Sequence, residues 1–112
     1  MDSILISIKK LLGITEEYTH FDQDIIIHIN SVLFTLNQLG VGPTKPFTIK
    51  GETEIWDDFI VEEDSLEAVK SYVYLKVRIL FDPPSSSVLM ESINRQINEF
   101  EWRLNVAVET PT

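Results

Sequence analysis

The side chains with the widest chemical range in this chain are His20 and His28, and each stands alone. Catalysis by a histidine needs a nucleophile or an orienting carboxylate in a fixed relation to it, and zinc binding needs further ligands at a recognisable spacing. No cysteine occurs in the 112 residues, and neither an HExxH pattern nor a paired-histidine spacing is present. His28 falls among isoleucines in a helical pattern, where a half-exposed bundle histidine is expected. The run Trp56-Asp57-Asp58-Phe59-Ile60-Val61-Glu62-Glu63-Asp64 offers carboxylates to calcium, but the alternating ligands, central glycine and terminal glutamate of an EF-hand loop are missing. A solvated acidic loop is the better reading. The four glycines form no phosphate-binding motif and sit at helix ends and turns. The residues therefore predict no enzyme, no cofactor and no metal.

Charge narrows the function classes further. Nine Lys and Arg stand against eighteen Asp and Glu, a formal charge of -9 with a pI near 4.5. Phosphate-driven nucleic-acid binding requires a basic footprint, and anionic membranes attract basic segments. Neither partner is expected. The opening MDSILISIKKLLGI lacks the unbroken apolar run of a signal peptide or membrane span, so a soluble protein of a cytoplasm is expected.

An apolar share of 44% in a chain of this length predicts one domain with one modest core. Ile4, Ile8, Leu11 and Leu12 fall at helical spacing over residues 3 to 12, with Gly13 as the stop. From about Gln23 to Leu39, Ile25, Ile29, Val32, Leu36 and Leu39 make a stripe that Ile26 and Leu33 widen. Asp22 is placed as its N-cap, with Phe21 and Ile26 as a hydrophobic staple and Gly40 as the stop. The wide arc predicts a central position in a bundle. Residues 41–63 carry no sustained period, although Phe47-Thr48-Ile49 reads as a short extended piece, and Ile55, Trp56, Phe59 and Ile60 as one amphipathic turn.

Asp64 with Glu67 reads as a capping pair for a third long helix, whose stripe is Leu66, Val69, Val73, Val77 and Leu80. Tyr72, Tyr74, Leu75, Ile79 and Phe81 add apolar groups on its other faces, so cover from several sides, including another subunit, is expected. A fourth helix carries Leu89, Ile93, Ile97, Phe100 and Leu104, with Glu91–Arg95 and Glu99–Arg103 as outward pairs. Between the two, Asp82, Pro83 and Pro84 form a rigid corner: prolines lack the amide hydrogens to continue one helix but suit the start of another. Residues 105–112 lose the helical charge pattern and predict an extended tail. The expectation is all-α: about four helices over 1–104 with an irregular middle segment at 41–63, then a C-terminal arm at 105–112.

The wording DIIIHIN, LNQLGVG and YLKVRILFDPPSS, within an order of elements running from about Ile8 to Glu109, resembles the head-tail connector, or adaptor, family of tailed bacteriophages, in particular prophage members from Gram-positive bacteria. The resemblance implies a structural virion protein that assembles with itself, commonly as a dodecamer, into a ring under the portal. That ring would join the portal to stopper or tail-completion proteins and continue the channel for DNA, a passing cargo bound without specificity. The implied location is the virion neck, after assembly in the bacterial cytoplasm.

On that resemblance, Trp102, Leu104, Asn105, Val106, Ala107, Val108 and Glu109 are candidates for portal docking, against the plainer reading of a loose chain end. Trp56, Asp57, Asp58 and Phe59 are candidates for a contact with a neighbouring protomer or the stopper, against a loop merely pinned down by Trp56 and Phe59. Tyr74, Ile79 and Phe81 are candidates for a lateral ring contact, since a head-to-tail ring needs two different lateral surfaces. The corner at Asp82, Pro83 and Pro84 would aim the last helix. A rival class, supported by the charge alone, is a small acidic regulator or DNA-mimicking inhibitor of a basic protein.

Overall fold

Ser3 opens the first helix by accepting the Ile6 amide on its hydroxyl at 3.3 Å, a cap to which serine is well suited. A computed structural model, which describes residues 3–60 and 63–109, places α1 at Ile4–Leu11, α2 at Asp22–Gln38, α3 at Trp56–Phe59, α4 at Glu63–Phe81 and α5 at Ser87–Glu109. Among the described residues there is no strand, only an isolated bridge between Ser3 and Ile55. The fold is an all-α bundle, as the periodicity predicts.

α1 buries Ile4, Leu5 and Ile8. Leu5 thus takes the inner position expected for Leu11, which is 53% exposed. Gly13, at φ +84°, ends the helix by letting the Ile14 amide fold back onto the Lys9 carbonyl at 2.8 Å.

Asp22 is not the cap of α2. The helix begins at Asp22 itself, behind a Phe21 that makes no side-chain cap bond. The Asp22 carboxylate is engaged elsewhere: Lys9 Nζ lies 2.8 Å from its Oδ1 and also donates to the Glu16 carbonyl at 3.1 Å. One buried ammonium therefore ties α1, the loop after it and α2 together. A charge can be buried only with partners of this kind.

The hub of the bundle is α4, which packs against α1, α2 and α5. Val69, Tyr72, Val73 and Val77 are fully buried there, so much of the cover anticipated from another subunit is supplied by the chain's own helices. The central position expected for α2 falls to α4 instead. α2 buries Ile25, Ile29, Val32, Leu33 and Leu36 but turns Ile27 and Phe34 to solvent. The capping role expected of the Asp64 side chain lies outside the described residues, and the backbone of α4 already begins at Glu63.

The segment between α2 and α3 is irregular, as expected, and is fastened by side chains instead of a ladder. Asn30 Nδ2 donates to the Ile49 carbonyl at 3.0 Å, and the Ile49 amide donates to Asn30 Oδ1 at 2.7 Å. One amide side chain thereby replaces a neighbouring strand. The Glu54 carboxylate accepts the Lys50 amide at 2.8 Å and the Gly51 amide at 3.3 Å. Burial pushes the Glu54 carboxyl up, but the donors at Lys50, Glu54 itself, Gly51 and Thr53 outweigh it and hold the group below its ordinary value.

At the corner, the Asp82 amide still reaches the Arg78 carbonyl at 2.8 Å; beyond it Pro83 and Pro84 have no amide hydrogen to give. Ser86 then caps α5 by accepting the Leu89 amide at 3.2 Å. Tyr72 of α4 donates its hydroxyl to Glu101 of α5 at 2.6 Å, and Ile93, Ile97 and Leu104 fill the seam.

Candidate interaction surfaces

α5 runs unbroken through the position where an extended arm was expected: it is helical to Glu109, and 110–112 lie outside the described residues. Local preference for extended backbone at Val106 and Val108 is overridden by packing. Leu104 is buried, and Val108 rests on the Gly40 turn so closely that a Cβ at Gly40 would lie 3.0 Å from Val108 Cγ1. Asn105 and Val106 are half-buried. Trp102 is 67% exposed, and Val108 is 47% exposed. Of the candidate docking residues, then, Trp102 and Val108 offer apolar surface, while Leu104 belongs to the core. The side chains of Ala107 and Glu109 lie outside the described residues.

The middle segment also divides. Trp56 is buried, with its indole N–H donating to Ser7 Oγ at 2.8 Å and the Lys70 ammonium 5.9 Å from its ring centroid. Phe59 is buried beneath Gly42, where an added Cβ would meet its ring at 2.7 Å, and its centroid is 5.6 Å from that of Phe47. Both rings are therefore packed into the core, and Phe59 keeps a place in the lining of the groove between the turn after α2 and the end of α5. A single helical turn carries too few residues for periodicity to reveal which side faces inward. Asp57 and Asp58 remain exposed; Asp58 accepts the Ile55 amide at 3.1 Å.

The candidate lateral residues are only partly available. Tyr74, Ile79 and Phe81 are half-buried against the core. Phe81 meets Phe21 edge-on with centroids 5.3 Å apart, and His28 lies 6.5 Å away. Larger apolar surface is exposed at Ile27, Phe34, Leu80, Val88 and Leu89, which the sequence reading missed or placed inside. A signal for Ile27 and Phe34 existed: they sit seven apart and out of phase with the buried stripe of α2. At the corner, Asp82 and Pro83 are exposed and Pro84 is half-buried.

One concavity joins these elements. A groove of about 640 Å³ opens between the turn after α2, the α3 segment and the end of α5, with Val41, Phe59, Leu104 and Val108 as its apolar lining and Asp58 at its margin. His20 is exposed beside Phe21 and Tyr18. Among the described residues no cluster of three or more His, Asp or Glu is placed to hold a metal ion, and no helix is long and apolar enough to cross a membrane. What the geometry presents is an exposed indole at Trp102, an apolar groove with Asp58 at its margin, and exposed carboxylates at Asp57 and Asp58.

The chain matches the family model described as phage connector protein over residues 4–111. No curated protein and no solved structure matches it.

Proposed function

From the premise that this chain belongs to the phage connector protein family, we propose that it forms a ring in the neck of a tailed phage, docks beneath the portal and receives stopper or tail-completion proteins on its other side. Membership makes it a connector, a structural component that contacts other proteins of the head-tail junction. The observation that carries the finer reading is that the family match spans the whole bundle, including the second half of α5, where Trp102 stands exposed. An exposed indole on a helix face is the kind of anchor on which protein interfaces concentrate their energy.

The acidic balance supports a conduit. A ring built of copies that each carry a net charge of -9 repels the DNA backbone and lets it slide without being gripped. Assembly in the host cytoplasm and residence in the virion follow from the same role.

Co-sedimentation with portal-bearing capsids tests the docking. The unmodified chain should sediment with them. Trp102→Ala, which leaves the core untouched, should weaken that association, and removal of 105–112 should abolish it. Attachment undiminished in both variants would end the assignment of this helix end to the portal.

A further inference from the structure

Leu11 and Lys10 form an unused knob at the end of α1. Leu11 is largely exposed, Lys10 beside it is exposed, and among the described residues no carboxylate pairs with Lys10. The groove next to the end of α5 is its chemical complement: an apolar lining of Val41, Phe59, Leu104 and Val108 with Asp58 at the margin. Asp58 belongs to a stretch, Gly51 to Val69, whose sequence holds eight acids and no Lys or Arg.

Knob and groove lie at opposite ends of α2. The Lys9–Asp22 pair holds the end of α1 at the first residue of α2, whereas the groove begins at Gly40 and Val41, just past its last turn. The 17 residues between them span roughly 25 Å at 1.5 Å per residue. One chain cannot bring the two together.

We propose that Leu11 of one copy inserts into this groove on the next copy, with the Lys10 ammonium meeting Asp58. The inference rests on the ring reading above and supplies its lateral contact. Among the exposed large apolar residues that the structure describes, only Leu11 and Trp102 have a Lys or Arg next to them in the chain. Arg103, next to Trp102, is already paired with Glu99, and Trp102 lies two residues from Leu104 of the groove itself. That leaves Leu11 as the knob an acidic-edged groove selects. Because knob and groove are different surfaces, the contact is heterologous and propagates head to tail, closing into a ring when the rotation permits.

The natural absence of cysteine permits a direct test. The variant Leu11→Cys/Val108→Cys, bound to portal-bearing capsids and oxidised, should give a ladder of covalent multimers on a non-reducing gel, whereas each single variant should stop at a dimer. Leu11→Asp should keep the helical circular dichroism of the parent and weaken self-association roughly tenfold to a hundredfold, as loss of one buried leucine implies. Lys10→Glu should also weaken it, and the charge swap Lys10→Glu/Asp58→Lys should recover part of the loss relative to Asp58→Lys alone. If the unmodified chain forms rings but the double-cysteine variant gives no ladder and Leu11→Asp associates normally, this contact is overturned while the ring reading stands. If the unmodified chain binds capsids only as single copies, the ring reading fails and the contact fails with it.

Discussion

Lys9 and Asp22 meet at 2.8 Å with the lysine only 1% exposed. The aspartate keeps some access to solvent, so the two partners are not equivalent. Asp22→Ala strands an ammonium in the core, whereas Lys9→Met leaves a carboxylate whose Oδ1 is buried but whose side chain is still partly open to water. We expect Asp22→Ala to cost about 3 kcal/mol and Lys9→Met distinctly less, with the double variant close to Lys9→Met. Urea denaturation of the four proteins measures this; equal losses in the two single variants would contradict the asymmetry.

Asn30 carries both hydrogen bonds that fix Ile49. Asn30→Ala removes them together and should cost about 1–3 kcal/mol. Asn30→Asp should be no milder at neutral pH, because its carboxylate would face the Ile49 carbonyl in place of an amide donor. Hydrogen exchange at the Ile49 amide is the discriminating readout. Retained protection in Asn30→Ala would show that the segment is held by Ile49 burial alone.

These two contacts also show what the sequence carried and what it hid. Val69, Val73 and Val77 on α4, and Ile93, Ile97 and Leu104 on α5, are legible because each stripe repeats at the period of its own helix, and burial follows the repeat. Asp22 was misplaced as a cap because its real partner, Lys9, is brought to it by the packing of α1 on α2, which no local pattern encodes. Trp56 and Phe59 were legible as a turn pinned to the core, but they also stood as candidate contacts because a single turn does not declare how much of it a partner could reach. The end of α5 was read as extended from its valines, yet Val108 gains a seat on the Gly40 turn that only the tertiary structure provides. The exposed knob at Leu11 was assigned to the core by the same spacing argument that Leu5 satisfies better.

The three glycines with positive φ separate backbone strain from crowding. An added Cβ meets nothing within 4 Å at Gly13, Val108 at 3.0 Å at Gly40, and the Phe59 ring at 2.7 Å at Gly42. Gly13→Ala should cost about 1–2 kcal/mol from the left-handed backbone alone. Gly40→Ala should cost somewhat more, with part recovered in Gly40→Ala/Val108→Ala. Gly42→Ala should be the worst, adding about 1–3 kcal/mol for a clash with a buried ring. Thermal unfolding ranks them, and Gly13→Ala emerging as the worst would refute the ordering.

Tyr72 should make the bundle sensitive to alkali. Its burial first, then the hydrogen bond and charge of Glu101, push the phenol well above its ordinary value. A folded-state value raised in this way contributes stability that is fully present below the unfolded value of about 10 and is lost as pH rises beyond it. Tyr72→Phe should lose about 1 kcal/mol at neutral pH through the missing hydrogen bond, yet fall less steeply above pH ~10. Parallel denaturation curves for the two proteins across that range would contradict the account.

Pro83 and Pro84 should matter more to geometry than to folding. Ser86 remains to cap α5, and the Tyr72–Glu101 bond with the Ile93 and Ile97 seam still holds that helix to α4. Replacing both prolines with alanine should therefore leave the helical circular dichroism intact and lower stability by only about 1–2 kcal/mol, mainly because the unfolded chain gains freedom. The angle at which α5 leaves the corner is less firmly set without the rings, and α5 is the helix that presents Trp102 and the Val108 wall of the groove. Neck assembly on portal-bearing capsids should accordingly slow in Pro83→Ala/Pro84→Ala by more than the stability change predicts. The stability-matched control is Asn30→Ala, which lies away from the corner. Equal assembly rates in the two variants would show that the rigidity of the corner is dispensable and that the seam between α4 and α5 alone aims the last helix.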